Sequence, residues 1–312
     1  MRAMIVAAGL GTRLRPLTDL RPKPALPVRG IPLLSYSLFL LAQYGVREVM
    51  INVHPLPEIA IEAARRHCPP GLDLCFSHEE ALLDTGGGIR RVAGFLRESD
   101  PCLLLGADML LDADLGRLVR LHRERGDAWT MLLREDPRGD RFGTIGVGAD
   151  GRVRRIGRRF ELPGAVRAGV YVWANVVSPR AFDRMPDRDV FSHLDHWITP
   201  WLAAGASDVR GELWGPQDCA WEPVGTPREY LDANLHPPRL HHLDADALAR
   251  RHGVRFEADC VIGAGATIGP GASLRRVVIW DGERVPAGLC GENGVFAGGV
   301  FHPCERDSGG AA

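Results

Sequence analysis

Glycine and cationic residues follow a short apolar run near the start of the chain. Residues 4–8 are apolar and predict a buried first strand, and Gly9 and Gly11 come directly after it. Glycines allow backbone N–H groups to close on an anion without a Cβ atom in the way. Arg13 and Lys23 bring two positive charges to the same loop. This spacing predicts a loop that binds the phosphates of a nucleotide.

Two better-known phosphate loops fit this stretch less well. A dinucleotide fold expects a third glycine where Leu14 stands, and an acidic residue at the end of the second apolar run, residues 49–53. Neither expectation is met. The sequence also contains no G-x-x-x-x-G-K-[ST] loop, so an ordinary ATPase is not supported.

A run of three glycines predicts a second ligand loop. Gly86, Gly87 and Gly88 stand just before a predicted helix. Their backbone can approach a flat base or a ribose more closely than residues with side chains can. The alternative is a flexible turn.

A third candidate ligand loop carries a carboxylate. Asp108 follows the apolar strand predicted over residues 102–105, and Mg²⁺ prefers carboxylate oxygens combined with nucleotide phosphates. Asp112 and Asp114 are nearer to the next predicted helix and are better placed to cap it. Asp108 is therefore the candidate metal ligand.

The elements that must position these loops alternate between strand-like and helix-like segments over the first two-thirds of the chain. This alternation predicts an α/β fold with a Rossmann-like, mainly parallel (mixed) sheet flanked by helices. In open sheets of this type, ligands lie over the carboxyl ends of the strands, where the three loops begin.

The composition excludes several classes of protein. The 312 residues can bury a large core, and a formal net charge of -1 gives no electrostatic case for nucleic acid or an anionic membrane as a partner. The seven cysteines lack C-x-x-C spacing, so neither a zinc site nor a disulfide framework is indicated. No apolar stretch reaches membrane-spanning length, and we expect a cytoplasmic protein.

The last part of the chain has a different pattern. Ile262, Ile268 and Leu274 are six residues apart, which is the spacing of a hexapeptide coil that stacks one aliphatic residue on the next. A few such turns bury little surface alone, so we expect the coil to need a cap or a partner and to serve either packing or assembly of a homo-oligomer. The expected organisation is a main domain over 1–236, a linker over 237–258, a short β-helix over 259–303 and a disordered tail over 304–312.

Residues 9–24, with their spaced Pro-Lys-Pro, resemble the signature of the sugar-1-phosphate nucleotidylyltransferases. The chain is most similar to the short bacterial mannose-1-phosphate guanylyltransferase-like and N-acetylmuramate-1-phosphate uridylyltransferase-like proteins. The resemblance implies transfer of a nucleoside monophosphate from an NTP to a sugar 1-phosphate, with GTP and mannose 1-phosphate favoured. It also implies Mg²⁺ as the cofactor and a left-handed β-helix as the tail. A nucleotide-sugar sensor without transfer chemistry is the alternative.

The resemblance also implies roles for individual residues. Arg13 would hold the β- and γ-phosphates, Lys23 would bridge the α-phosphate and the sugar phosphate, and Asp108 would place Mg²⁺. The implied nucleotide-binding residues are Ala8, Gly9, Gly11, Thr12, Arg13, Gly86, Gly87 and Gly88.

The second metal ligand departs from the family pattern. Pro223 stands where an aspartate is usual, and Glu222 beside it is the expected replacement if a bulge turns its side chain inward. The alternatives are a structural role for Glu222, a ligand role for Asp218, or a water or phosphate oxygen in the second position.

The predicted sugar pocket departs from the pattern as well. Gly143, Glu161 and Gly169 match the family, but Leu162 removes a lysine that would bind the sugar phosphate. The candidates for the lost cation are Arg158, Arg159 and Arg167, unless these arginines form a solvated face.

Overall fold

Strands and helices follow one another in the alternating order that the sequence predicts. The computed structural model describes residues 1–304. The strands are β1 (Arg2–Val6), β2 (Pro27–Val28), β3 (Ile31–Pro32), β4 (Glu48–Val53), β5 (Asp73–His78), β6 (Cys102–Gly106), β7 (Met109–Ala113), β8 (Trp129–Arg134), β9 (Ile145–Val147), β10 (Val153–Ile156), β11 (Phe160–Glu161), β12 (Arg167–Val177), β13 (Val209–Trp214), β14 (Cys219–Pro223), β15 (Arg255–Glu257), β16 (Cys260–Ile262), β17 (Thr267–Ile268), β18 (Ser273–Ile279), β19 (Arg284–Val285), β20 (Cys290–Ala297) and β21 (Val300–Pro303).

The helices separate many of these strands. The α-helices are α1 (Leu17–Leu20), α2 (Leu33–Gln43), α3 (Pro57–Arg66), α4 (Asp84–Arg91), α5 (Ala93–Arg97), α6 (Leu115–Arg125), α7 (Gly139–Phe142), α8 (Thr199–Ala203), α9 (Pro227–Leu235) and α10 (Ala245–Arg251). Short 3₁₀ helices span Thr12–Leu14, Lys23–Ala25 and Pro179–Arg184, and a π-helix spans His193–Ile198. None of the helices within residues 1–304 is long and apolar enough to cross a membrane.

Four parallel strands form the centre of the main sheet, in the order β6-β1-β4-β5. Their side chains are apolar on both faces because helices cover the sheet on both sides, as is usual for parallel strands. Ile5 and Leu105 are neighbours in this core and are fully buried. The carboxyl ends of all four strands lie at one edge of the sheet, so the loops that follow them meet there.

Antiparallel strands complete the sheet beyond β6. β12 runs antiparallel to β6, β8 and β9, and β10 and β11 continue the sheet past β9. The predicted class, a mixed sheet flanked by helices, is confirmed. The pairing of β12 with β8 shifts register between Tyr171 and Asn175, and Trp173 within this irregular segment has a left-handed backbone with φ +52°.

The C-terminal part of the described chain is a coil of short strands. β16, β18 and β20 pair in parallel, as the hexapeptide spacing predicts. Ile262 is buried in the coil, whereas Ile268 is 38% exposed on β17, which pairs with β19 in a separate two-stranded sheet. The predicted linker over residues 237–258 contains α10 and β15. Trp280 of the coil donates to the buried hydroxyl of Tyr230 on α9 (2.9 Å).

Two expectations for this end of the chain have a different standing. Most of the predicted disordered tail, residues 305–312, lies outside the described residues. Homo-oligomerisation through the coil stays a prediction.

Candidate active site

The loop after β1 turns back on itself and needs glycine to do so. Gly11 has φ +62°, and a Cβ atom added there would lie 2.9 Å from the side chain of Thr18 and 3.1 Å from that of Lys23. Thr18 also donates its hydroxyl to the Gly11 carbonyl (3.0 Å). Gly9 faces open space, because no atom beyond its chain neighbours lies within 4 Å of its missing Cβ among the described residues. Gly11 thus shapes the loop, and Gly9 leaves its backbone accessible.

An ion pair joins this loop to the end of β6. The Lys23 ammonium donates to the carboxylate of Asp108 with an Nζ–Oδ2 distance of 2.9 Å. The Lys23 side chain is 12% exposed and the Asp108 side chain is 46% exposed, so the carboxylate is the more accessible partner. The sequence predicted both residues as site residues, and the structure brings them into direct contact.

Two fully buried polar side chains connect three of the strand-end loops. Asn52 at the end of β4 accepts the N–H of Ala7 (2.8 Å) and donates to Glu79 (2.7 Å). The other carboxylate oxygen of Glu79 accepts the N–H of Leu83 just before α4 (3.0 Å). Asn52 and Glu79 are 1% and 0% exposed. Because both are buried and hydrogen-bonded, they fix the start of the phosphate loop relative to α4.

The three glycines of the second predicted loop lie inside α4, where the structure gives them a packing role. Added Cβ atoms at Gly86 and Gly87 would lie 2.3 Å from the Phe191 ring and 2.1 Å from the carbonyl oxygen of Asp189. Both glycines also donate their N–H groups to the Phe191 carbonyl, at 2.8 and 3.2 Å. At Gly88, a Cβ atom would lie 2.7 Å from the Glu79 carboxylate. Nucleotide binding by these glycines stays a prediction.

An aromatic cluster lies beside the ion pair. Trp173 packs on His193, with ring centroids 4.5 Å apart. His193 is hydrogen-bonded to the hydroxyl of Thr85 (2.8 Å) and contacts the Tyr171 hydroxyl (3.3 Å). Burial lowers the pKa of His193 to about 3, so its imidazole is neutral at physiological pH. Trp173 keeps its left-handed backbone conformation, a strain that is frequent in functional sites.

Two cavities open at the carboxyl edge of the sheet. The first, of about 300 Å³, is lined by the phosphate loop, the ends of β1, β4 and β6, and residues before and within α4; the lining residues are Val6, Ala7, Ala8, Gly9, Gly11, Thr12, Arg13, Lys23, Pro24, Asn52, Leu82, Asp84, Thr85, Gly106, Ala107, Asp108, Trp173 and Gly225. The second, of about 620 Å³, lies between β12, α7, β14 and the turn between β10 and β11. Both cavities are lined by Arg13, Asp108, Trp173 and Gly225. The shared residues form the boundary between two compartments.

The residues predicted for the sugar pocket do not all reach the second cavity. Gly143 lines it. Glu161 is exposed and lies outside its lining. Gly169 is buried, and an added Cβ atom there would lie 2.3 Å from the Leu213 side chain, which accounts for this glycine by strand packing.

The strand that carries the second metal position presents a different side chain to the cavity. Trp221 and Pro223 line the second cavity, and Glu222 between them does not, as the alternation of side chains along β14 dictates. Glu222 is bound instead to Arg138, at 3.0 and 3.2 Å. Burial raises the pKa of Glu222, although Arg138 opposes the shift. Pro223 pairs with Met109, the neighbour of Asp108. A metal role for Glu222 stays a prediction.

Carboxylate oxygens fit Mg²⁺ at this edge of the sheet only in combination with oxygens from a ligand. Within residues 1–304 no group of three or more His, Cys, Asp or Glu side chains is arranged to hold a metal ion. Asp108 offers a half-exposed carboxylate at the boundary of both cavities. Mg²⁺ is commonly held by one or two carboxylates plus substrate phosphates, so this donor suits it.

Several site residues were not predicted from the sequence. Asn52 carried one available signal, because it is a polar residue inside the apolar run of β4. Glu79, Trp173 and His193 carried none, since their positions depend on contacts between distant segments.

Together the fold and the site define an enzyme class. Arg13 of the loop after β1 and the half-exposed carboxylate of Asp108 line two adjacent cavities, which suits the transfer of a nucleotidyl group between two bound substrates. The chain belongs to the nucleotidyl transferase family, which it matches over residues 2–238. This match confirms the family resemblance and the prediction of a nucleotidyltransferase enzyme.

Curated relatives extend the similarity over most of the chain. A Mycobacterium tuberculosis protein named mannose-1-phosphate guanylyltransferase is 34% identical over 92% of this chain and 81% of the relative. A Synechocystis protein named UTP–glucose-1-phosphate uridylyltransferase is 29% identical over 60% of this chain and 51% of the relative. The crystal structure of HddC from Yersinia pseudotuberculosis complexed with GMP-PN has a TM-score of 0.60 and 19% identity, covers 75% of this chain and 97% of its own, and shares the fold.

We expect Asn52→Ala to weaken nucleotide binding as well as folding. The change removes the acceptor for the Ala7 N–H and the donor to buried Glu79, so the phosphate loop loses its support. Loss of such buried partners costs about 1–3 kcal/mol in the free energy of unfolding. Urea unfolding and calorimetric titration with NTP measure the two effects.

Asn234→Ala is the matched control. Asn234 is also fully buried and accepts a backbone N–H, from Arg29, but it lies outside the lining of both cavities. It should lose stability without loss of NTP affinity. If Asn52→Ala binds NTP as tightly as the wild type, the proposed support of the loop is refuted.

Proposed function

We propose that this protein transfers the nucleoside monophosphate of an NTP to a sugar 1-phosphate and releases pyrophosphate. The observation that carries the proposal is the pair of cavities that share Arg13 and Asp108, with Lys23 in the lining of the first cavity and bound to Asp108. One cavity suits the nucleotide because the phosphate loop lines it. The other suits a sugar, because Phe142, Tyr171 and Trp221 line it together with polar side chains.

The reaction needs positioning more than a covalent nucleophile. An oxygen of the sugar phosphate attacks the α-phosphorus, and the bond to the β-phosphate oxygen breaks with its electron pair leaving on pyrophosphate. Lys23 would neutralise the two phosphates where they meet. Arg13, which has no ion-pair or hydrogen-bond partner among residues 1–304, would hold the departing phosphates.

Asp108 is the residue that would hold Mg²⁺. Its carboxylate lies at the boundary of the two cavities and remains half exposed while it is bound to Lys23. When bound, Mg²⁺ would neutralise charge on the phosphate oxygens. The other ligands would be phosphate oxygens and water.

GTP and mannose 1-phosphate are the substrates that we propose. The support comes from two relatives. The Mycobacterium tuberculosis protein, 34% identical over 92% of this chain, is named mannose-1-phosphate guanylyltransferase, and a rice protein, 24% identical over 95% of this chain, is named "Probable mannose-1-phosphate guanylyltransferase 3". The Synechocystis relative is named for UTP and glucose 1-phosphate, so this pair is the first alternative to compare with GTP and mannose 1-phosphate.

A substrate panel tests the function. Each of GTP, UTP, ATP and dTTP is combined with mannose, glucose and N-acetylglucosamine 1-phosphates in the presence of Mg²⁺, and pyrophosphate release is followed. We expect turnover with GTP and mannose 1-phosphate to exceed that of every other pair. Tight binding of an NDP-sugar without turnover by any pair would instead indicate a sensor.

Paired variants test the metal ligands. Asp108→Asn should lower kcat by about 10²–10³-fold, the usual effect of losing one electrostatic group in a transition state. Glu222→Gln should leave the Mg²⁺ concentration for half-maximal activity unchanged, because Glu222 lies outside the lining of both cavities and is bound to Arg138. Activity against Mg²⁺ concentration is the measurement.

Asp114→Asn serves as the control for a lost charge, since Asp114 caps α6 and asparagine caps equally well. A raised Mg²⁺ requirement in Glu222→Gln would show that Glu222 takes part in metal binding. Full activity of Asp108→Asn would refute its assignment.

A further inference from the structure

Four arginines line the second cavity: Arg13, Arg155, Arg158 and Arg159. If this cavity takes the sugar 1-phosphate, as proposed above, a cation must bind the phosphate group of the sugar. Leu162 stands where the family places a lysine, so another residue must supply that charge. Arg13 also lines the first cavity, next to the phosphate loop. Of the other three, Arg155 lies on β10, and Arg158 and Arg159 lie in the turn between β10 and β11. Their contacts distinguish them.

Arg155 on β10 stabilises the turn through its side chain. Its guanidinium donates to the hydroxyl of Thr144 (2.9 Å) and to the carbonyl of Gly157 (3.3 Å). These bonds tie the turn to the segment just before β9. Arg155 therefore supports the wall of the cavity and has fewer donors left for a ligand.

Arg159 fastens the other side of the turn. Its guanidinium donates to both carboxylate oxygens of Asp195 in the π-helix, each at 3.0 Å. Both bonds go to one carboxylate, so Asp195 holds this guanidinium on the π-helix. Arg167, the third candidate from the sequence, is exposed and does not line the cavity.

Arg158 lies between these two anchored residues. It is exposed and lines the second cavity, and no residue within 1–304 is bound to its guanidinium by an ion pair or hydrogen bond. Gly157 has φ +54°, which lets the chain turn sharply just before Arg158. The flanking contacts hold the turn in place, so Arg158 is presented to the cavity on a supported backbone.

We propose that Arg158 binds the phosphate of the sugar 1-phosphate. A guanidinium offers two parallel N–H donors that match phosphate oxygens, and at this position it supplies the charge that Leu162 lacks. The proposal rests on the proposed function for the identity of the ligand. Arg158 acts in binding of the acceptor and not in binding of the nucleotide.

Kinetics of Arg158→Gln test the proposal with the substrate pair that the wild type uses. We expect KM for the sugar 1-phosphate to rise roughly 10- to 100-fold, the effect of one charge-assisted hydrogen bond, with KM for NTP within about 2-fold of the wild type. Arg158→Lys keeps the charge without the fork and should recover part of the loss. Arg154→Gln is the control, because Arg154 lies on the same hairpin but does not line the cavity. Its guanidinium nitrogen Nη2 lies 3.6 Å from the carboxylate oxygen Oδ2 of Asp150.

Two outcomes would overturn the role of Arg158. One is an unchanged KM for the sugar 1-phosphate in Arg158→Gln, and the other is an equal rise for both substrates. Calorimetric titration with mannose 1-phosphate separates this proposal from the proposed function. If the wild type binds this probe without turning over any pair, the proposed function fails, and Arg158 keeps its role only if Arg158→Gln binds the probe at least 10-fold more weakly. Equal affinity of the two proteins, or no measurable binding by the wild type, overturns the role.

Discussion

The ion pair between Lys23 and Asp108 is the contact on which the organisation of the site depends. It joins the loop after β1 to the end of β6, and Asp108 lines both cavities. Two phosphate groups repel each other when they approach, so a site that brings them together needs fixed positive charge at their meeting point. The pair also holds the ammonium in place before any ligand arrives, which reduces the reorganisation required for the reaction.

Buried polar contacts around this pair hold the loops in fixed positions relative to one another. Asn52 and Glu79 connect three of the strand-end loops, and Thr85 and His193 connect α4 to the π-helix beside Trp173. Burying such groups without partners would be costly, whereas full pairing makes the arrangement rigid. The neutral state of His193 fits this role, because a charged imidazole would be expensive in the same place.

The sequence predicts the loop after β1 well because its residues act through local geometry. Gly9, Gly11 and Arg13 are close in the chain, and Asp108 ends an apolar strand that a periodic pattern reveals. The α/β class and the cap of α6 follow for the same reason. All of these features depend on spacing within one segment.

Contacts between distant segments could not be predicted in this way. The packing of Gly86 against Phe191 joins residues about one hundred positions apart, so the sequence alone suggested a ligand loop. The alternation of side chains along a strand favours a Glu222 side chain that faces away from the cavity. Its partner Arg138, however, lies 84 positions away in the sequence and could not be identified from it. The choice among Arg158, Arg159 and Arg167 likewise depended on their partners and on the cavity wall.

The central claim is that the two cavities hold both substrates together so that the phosphates react directly. The stereochemistry at the α-phosphorus tests it, with an NTP that carries sulfur in place of one α-phosphate oxygen in a single configuration. Direct attack by the sugar phosphate predicts an NDP-sugar with inverted configuration at phosphorus. Retention of configuration would mean that the nucleotidyl group first moves to the protein, and it would contradict this account of the site.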